Sequence, residues 1–343
     1  MTAEFTADDG VQRLVVGVGA AGQLGAELDR LGVERPLIIS APSAAAHAYR
    51  LTAELRVVEV IASAQAHVPV AAAQAAAARA ATGQADSLVA IGGGAATGLA
   101  KAVARRLRLP IVALPSTFAG SEATPVWGET GPDGKHTGRD RAALPCVVLA
   151  DPLLAVDVPH DVLAASGLNA LAHLHAAVAG PQANPAARLF AVAGARLLLT
   201  ALLAALTGDQ AAHAQGLWAA QLTARGFAIA GAGAHHRACH VLGGEFATPH
   251  APTHAALAPH SFAALPTAVR VDLTAELGVD PAVGVAELGA RLGVQPRLAA
   301  YLPAAQREAA FARCREATRG LWSAQTAQTV LEAAYDGAKP RLP

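Results

Sequence analysis

The chain has 343 residues, 53% of them hydrophobic and 15% charged, with 26 Lys plus Arg against 26 Asp plus Glu. Such a composition excludes a disordered segment, and the lack of any polybasic tract excludes the electrostatic footprint of a nucleic-acid binder. Three distant cysteines (Cys146, Cys239, Cys314) make neither a disulfide framework nor a CxxC metal site, and the acidic start MTAEFTADD has no apolar core, so a cytoplasmic protein is expected.

Taken in chain order, the first 150 residues alternate short β-branched runs with Ala-rich helical stretches. Strands are predicted at Leu14–Val18, Pro36–Ser40, Val57–Ile61, Ser87–Ile91, Ile111–Leu114 and Val147–Ala150, and helices at Ala20–Leu31, Val70–Ala81 and Ala96–Leu107. This alternation implies a parallel sheet covered by helices. From about Asp161 long apolar-periodic segments follow, at 162–179, 185–206, 210–231, 233–243, 252–264 and 281–335, with no convincing strand. The expected fold is therefore an α/β domain with a parallel nucleotide-binding sheet over 1–156, then an all-α domain over 157–343. The boundary falls in Asp151–Pro159, where Pro152 and Pro159 disfavour helix. The most apolar stretch, Leu197–Leu206, is too short to span a bilayer, so no membrane partner is expected.

Within the first domain the run SLVAIGGGAATGLAK at Ser87–Lys101 joins an apolar strand to a helix through Gly92, Gly93 and Gly94. Glycines there allow close backbone approach, and a helix N-terminus offers free N–H groups to a phosphate. Gly17–Gly22, GVGAAG, matches GxGxxG, but the second strand ends in Ser40-Ala41-Pro42 without the acid that a dinucleotide fingerprint needs. The bland reading of either is a tight turn; three glycines at Gly92–Gly94 favour the phosphate reading there. The missing acid leaves both NADH and NADPH open. Candidate cofactor contacts are Thr97, Lys101, Ser116, Thr117, Ser121 and Thr124, with Lys135 and Arg139 as cations that reach a small anionic substrate across an interdomain cleft. The segment from Leu114 to Asp140 reads otherwise as a polar loop or hairpin.

Histidines carry the second domain. Nine of thirteen lie between His173 and His260. His236 and His240 are four apart, as are His250 and His254, and Asn169 stands four before His173, so each pair shares a helix face. Together Asn169, His173, His236 and His250 have the spacing of a four-ligand cage, but Asn169 is a neutral amide and a poor ligand for zinc or iron. His47, His67, His136, His160 and His213 read as solvent-facing or local, and His175 and His260 have no evident place.

These segments together resemble the iron-containing alcohol dehydrogenase superfamily, with its dehydroquinate synthase-like fold, and within it the maleylacetate reductases. The resemblance rests on GGGAATGLAKA at 92–102, PSTFAGSEATPVWG at 115–128, TGRD at 137–140, SGLNALAH at 166–173, HHRACHVLGG at 235–244 and PHAPTH at 249–254. In metal-dependent members it implies an Asp and three His where this chain has Asn169, His173, His236 and His250, so the cage is vestigial and no metal is expected. The implied reaction is NAD(P)H-dependent reduction of the activated C=C of maleylacetate to 3-oxoadipate by a homodimer. Catalytic candidates are His173, His236, His240 and His250, then His254, Arg237, Asn169, Arg139 and Lys135. Departures from the family pattern are Ala95-Ala96 for a Ser-Thr pair, Ala176 and Pro252 for Glu, and Arg237 for Lys. They leave open a same-fold enzyme recruited to another unsaturated or carbonyl substrate, a metal-dependent alcohol dehydrogenase, or a binding protein without turnover.

Overall fold

A computed structural model describes residues 4–294 and 297–340. The chain divides into two compact units, one running to Pro159 with Gly208–Trp218 added, the other comprising His160–Thr207 and the chain from Ala219 onward.

The first unit is built on β1 (Phe5–Asp8), β2 (Arg13–Val16), α1 (Leu24–Leu31), β3 (Pro36–Ser40), α2 (Ala45–Leu51), β4 (Glu59–Ile61), α3 (Val70–Thr82), β5 (Ser87–Gly92), α4 (Gly94–Leu107), β6 (Ile111–Pro115), β7 (Val126–Gly131), β8 (Gly134–Arg139) and β9 (Val147–Ala150). Seven strands form one sheet in the order β1-β2-β9-β6-β5-β3-β4, all parallel except the β1–β2 pair. β3, β5, β6 and β9 are buried end to end and largely apolar because helices cover both faces of the sheet. On one face α3 and α4 pack Ala76, Ala80, Leu99 and Val103 against Leu37, Ile39, Leu88 and Ile111. On the other, α1 packs Leu24 and Leu28 beside Ile38, Val89 and Val112.

The chain leaves β3 towards β4 on one side and β5 towards β6 on the other. Adjacent parallel strands whose connections diverge open a crevice at their carboxyl ends, where open α/β sheets bind ligands. Here that crevice lies beside Ser40 and Gly92.

Several elements depart from expectation. β1 is a short edge strand whose one large apolar residue, Phe5, meets Trp218 at 5.1 Å, a contact that sequence distance conceals. The stretch Ala20–Leu31 splits into a 3-10 turn at Ala20–Gln23 and α1, while α2 follows Pro42 and was not predicted. The segment after Leu114 holds the antiparallel β7–β8 hairpin, pinned to α4 by buried Glu129 between Arg105 and Arg106 and by the Arg105 guanidinium 3.3 Å from the Trp127 ring centre. Residues 208–218, expected in the all-α domain, join the first unit because the His213 ring lies on Phe118 at 4.7 Å. His213 is accordingly buried rather than solvent-facing.

The second unit is helical: α5 (His160–Ala179), α6 (Pro185–Leu206), most of α7 (Gln210–Ala230), α8 (Ala234–Glu245), α9 (His250–Ala263), α10 (Thr267–Leu277), α11 (Pro281–Arg291), α12 (Ala304–Ala317) and α13 (Ala324–Asp336). A Cβ at Gly194 would stand 2.5 Å from the Ala219 carbonyl oxygen, so glycine is what lets α6 and α7 approach so closely. Ala238 and Leu242 of α8 and Ala256 and Leu257 of α9 share a core with Phe311, Cys314 and Leu331, which fixes the two His-bearing helices side by side. Among the described residues two helices, α5 and α6, are long and apolar enough to cross a membrane; α5 is mostly buried within the fold, and α6 is the less covered of the two. The apolar stretch at Leu197–Leu206 is thus the second half of a 22-residue helix.

Candidate functional site

In the first unit the candidate is the N-terminus of α4. Its N-cap, Gly93, lends no side-chain cap, so helix geometry leaves the first-turn N–H groups for a ligand. Gly92 has φ +134, and a Cβ on Gly93 would lie 3.0 Å from Thr117 Cγ2, so these glycines let the loops after β5 and β6 close on each other. Gly94 is open, with nothing nearer than 3.9 Å to a built Cβ. The Ser40 hydroxyl, at the carboxyl end of β3, is fully buried and has no partner. Uncapped amides, an open glycine and an orphaned hydroxyl around one crevice fit a phosphate- and ribose-bearing cofactor. At Gly17–Gly22 the anion position is already filled, since the Ala21 amide donates to Asp151 Oδ2 at 3.0 Å.

Thr97, Ser116 and Thr117 are buried near this loop, and the Ser116 amide donates to the Gly92 carbonyl at 3.1 Å. Lys101 and Thr124 need correction as cofactor contacts, while Ser121 enters the Lys101 network through its carbonyl. Lys101 is 1% exposed, seven residues past Gly94 and so two turns along the buried side of α4. Its Nζ donates to the carbonyls of Ser121, Thr124 and Val126 at 2.6–2.8 Å, which uses all three ammonium protons. Burial pulls this amine down to about 7, with the Glu122 charge opposing. Thr124 Oγ1 accepts from the Val126 amide at 3.3 Å, so the Ser121–Val126 loop is a structure that Lys101 ties down. Lys135 and Arg139 lie on β8, Arg139 exposed.

In the second unit α5, α8 and α9 bring imidazoles together. His173 and His236 stack with centroids 5.4 Å apart and an interplanar angle of 15°. His236 meets His254 at 4.7 Å and His240 at 6.4 Å, and His250 meets His254 at 4.5 Å. Phe227 closes the apolar side, 4.4 Å from His236. His173, His236 and His254 are buried, His240 is half-buried, and His250 is exposed. Asn169, one turn before His173, is buried with its Oδ1 unpaired. His173 Nδ1, His254 Nε2 and both His236 nitrogens are likewise buried without partners. Each such atom costs about 1–3 kcal/mol unless something meets it, so this is a cluster built to receive a polar ligand. Arg237 is excluded from it: the side chain is exposed on the far face of α8, its Nε 3.4 Å from the Ala232 carbonyl.

Burial disfavours the charged form of the buried imidazoles. His173 and His175 are pulled down to about 4, and His235, His236 and His254 well below the ordinary value, first by burial and then by neighbouring imidazoles. His260, packed at the far end of α9, is pulled to about 4 by the same cause.

Three groups were missed from sequence. His235 Nδ1 lies 2.8 Å from Ser261 Oγ, His235 Nε2 lies 3.0 Å from His254 Nδ1, and Cys239 Sγ lies 3.8 Å from His235 Nε2. All are buried. The signal was present: His235 and Cys239 are four apart, and His254 and Ser261 seven apart, each pair on one helix face.

Tested as a metal cage, Asn169, His173, His236 and His250 do not fit: the amide carries no charge, the His173 and His236 rings stack with centroids 5.4 Å apart, and the three histidines do not bring donor atoms within 4.8 Å of one another. Among the described residues the group with three donor atoms within 4.8 Å of one another is His235, Cys239 and His254.

Comparison with known proteins gives concordant relatives. The profile of the iron-containing alcohol dehydrogenase family matches residues 12–152, and that of the C-terminal part of the Fe-containing alcohol dehydrogenase family matches residues 163–317. The maleylacetate reductase of Sphingobium indicum is 40% identical over 304 residues, 86% of each chain. That of Burkholderia cepacia is 37% identical, over 96% of this chain and 97% of its own. The crystal structure of maleylacetate reductase from Rhizobium sp. strain MTP-10005 superimposes with a TM-score of 0.87 at 33% identity, covering 99% of both chains.

Proposed function

The chain belongs to the iron-containing alcohol dehydrogenase family, as an oxidoreductase of maleylacetate reductase-like kind, and we propose that it uses NADH or NADPH to reduce the activated C=C of maleylacetate to 3-oxoadipate. The observation that carries this reading is the carboxylate-free imidazole cluster of His173, His236, His240, His250 and His254, in which the buried His173 Nδ1, His254 Nε2 and both His236 nitrogens lack partners and suit an oxygen-rich polar substrate.

The loop Gly92–Gly94, the first turn of α4 and Ser40 would hold the cofactor, which supplies a hydride when bound. N–H groups of His173 and His236 receive the substrate carboxylates, and Phe227 keeps water from one side of the cluster. As hydride adds to the alkene carbon, charge develops on the conjugated oxygen, where N–H donors fixed in advance stabilise it without reorganisation. An imidazole N–H then delivers a proton to the adjacent carbon, so the substrate gains one hydride and one proton. Asn169 assists as an uncharged dipole. No step passes through a metal at the Asn169 cage. A cytoplasmic homodimer acting on this small anionic substrate, with neither nucleic acid nor membrane as partner, belongs to the same proposal.

One observation favours a second reading, a metal-assisted reductase: the convergence of His235, Cys239 and His254. The test is nicotinamide absorbance decay with purified protein, maleylacetate and either cofactor, run with and without chelator. Decay that is indifferent to chelator supports the first reading, and decay abolished by chelator the second. No decay with either cofactor refutes both.

A further inference from the structure

The buried contacts of His235 have a direction. Ser261 Oγ donates to the Leu257 carbonyl at 3.0 Å, so its one proton is spent. With that proton committed to Leu257, the 2.8 Å contact with His235 Nδ1 runs from the imidazole N–H to the hydroxyl oxygen; the reverse order, with the hydroxyl turned to Nδ1, is the alternative that the tautomer experiment separates. A neutral His235 protonated at Nδ1 has a bare lone pair at Nε2. Across 3.0 Å, His254 Nδ1 must therefore be the donor. That leaves His254 Nε2 as a lone pair, buried beside His236 and His250 with no protein partner.

We propose that Ser261 and His235 are positioning residues that lock His254 in its Nδ1–H tautomer and so present Nε2 to the imidazole cluster as a hydrogen-bond acceptor. Free neutral histidine prefers the opposite form, and a tautomer is set by the bond its other nitrogen makes. The chain reaches from the α9 backbone to the site in three bonds and ends on the one His254 atom left for a ligand. This role rests on the reductase reading for its catalytic meaning, but the tautomer itself does not.

A metal shared by the same atoms is the competing arrangement. Two imidazole nitrogens at about 2.1 Å from a tetrahedral zinc stand about 3.4 Å apart. The observed 3.0 Å is the spacing of an N–H···N bond with a proton in that place.

The experiment is long-range proton–nitrogen NMR on the full chain labelled with 15N-histidine, assigned with His254→Gln and His235→Gln. Both residues are expected as Nδ1–H. Ser261→Ala removes one oxygen and is expected to release His235 to the Nε2–H form, which donates to His254 Nδ1 and inverts His254 as well; Ser261→Thr keeps the hydroxyl and the original pattern. In the reductase assay Ser261→Ala should lower kcat by roughly 10- to 100-fold, the low end of acid–base contributions, with a smaller change in KM. Finding His254 as Nε2–H in the parent, or unchanged in Ser261→Ala, overturns the proposal. So does a thiolate-to-cobalt charge-transfer band on titration with Co²⁺ that Cys239→Ala removes. Failure of catalysis with the tautomers as expected would fall on the reductase reading instead.

Discussion

Lowering the pH should unfold the helical unit through its histidines. His173, His175 and His260 are pulled down to about 4, and His235, His236 and His254 lie well below the unfolded value of 6.5. Between those values the unfolded chain binds protons that the folded chain refuses, so stability is complete above about pH 6.5 and falls as pH drops. Each group contributes a slope of about 1.4 kcal/mol per pH unit, and six together remove on the order of 10 kcal/mol between pH 7 and pH 5. A typical stability of about 5–15 kcal/mol would not survive much further. Urea titrations followed by circular dichroism at half-unit pH intervals measure this directly. The expected result is a steep fall below pH 6 with uptake of several protons on unfolding. His175→Phe, at a site already lined by Phe262 and Trp322, should flatten that slope by one proton and gain about 2 kcal/mol on the parent at pH 5. A change of less than about 3 kcal/mol between pH 7 and pH 5 would refute the claim that burial keeps these imidazoles neutral.

Other substitutions probe the two units separately. Lys101→Met strands three buried carbonyls and should cost about 3–5 kcal/mol in urea denaturation; a loss under 1 kcal/mol would mean the ammonium does not tie the Ser121–Val126 loop. Gly93→Val places methyl groups against Thr117 at a backbone angle valine accepts, so nicotinamide-cofactor affinity measured by fluorescence titration should fall at least about tenfold with the fold retained; an unchanged Kd would move the cofactor away from this loop. Asn169→Asp restores an anionic ligand among imidazoles, and zinc retained after dialysis should rise by roughly tenfold or more; retention equal to the parent would mean that the ring stacking, and not the missing charge, prevents a cage.

Much of the fold was legible because buried parallel strands read as apolar runs and their helices as alanine periodicities. β1 escaped because four residues with one large apolar side chain carry no pattern, and its support comes from Trp218, more than two hundred positions away. α10 escaped because only Arg270 and Leu273 on it are buried, leaving no apolar stripe. In the candidate site, helical spacing gathered His173, His236, His240, His250 and His254, whose rings do lie together. It misjudged Lys101, since a lysine after a glycine-rich loop reads as a phosphate ligand until the helix turn turns it inward. Arg237 was drawn in by adjacency to His236, although neighbouring residues on a helix point about 100° apart. His235 was lost inside a His-His doublet for the converse reason: attention to one spacing hid the same spacing one residue earlier.

The arrangement of Lys101 also makes the first unit its own reporter. Lysine occurs at only three positions, 101, 135 and 339, in a chain otherwise supplied with arginine. Among lysines, an amine-selective reagent therefore meets Lys135 and Lys339 in the folded protein, while the Lys101 amine is sealed beneath its loop. Mass spectrometry after a brief pulse would read the opening of that loop as the appearance of one additional adduct, with no engineered label required.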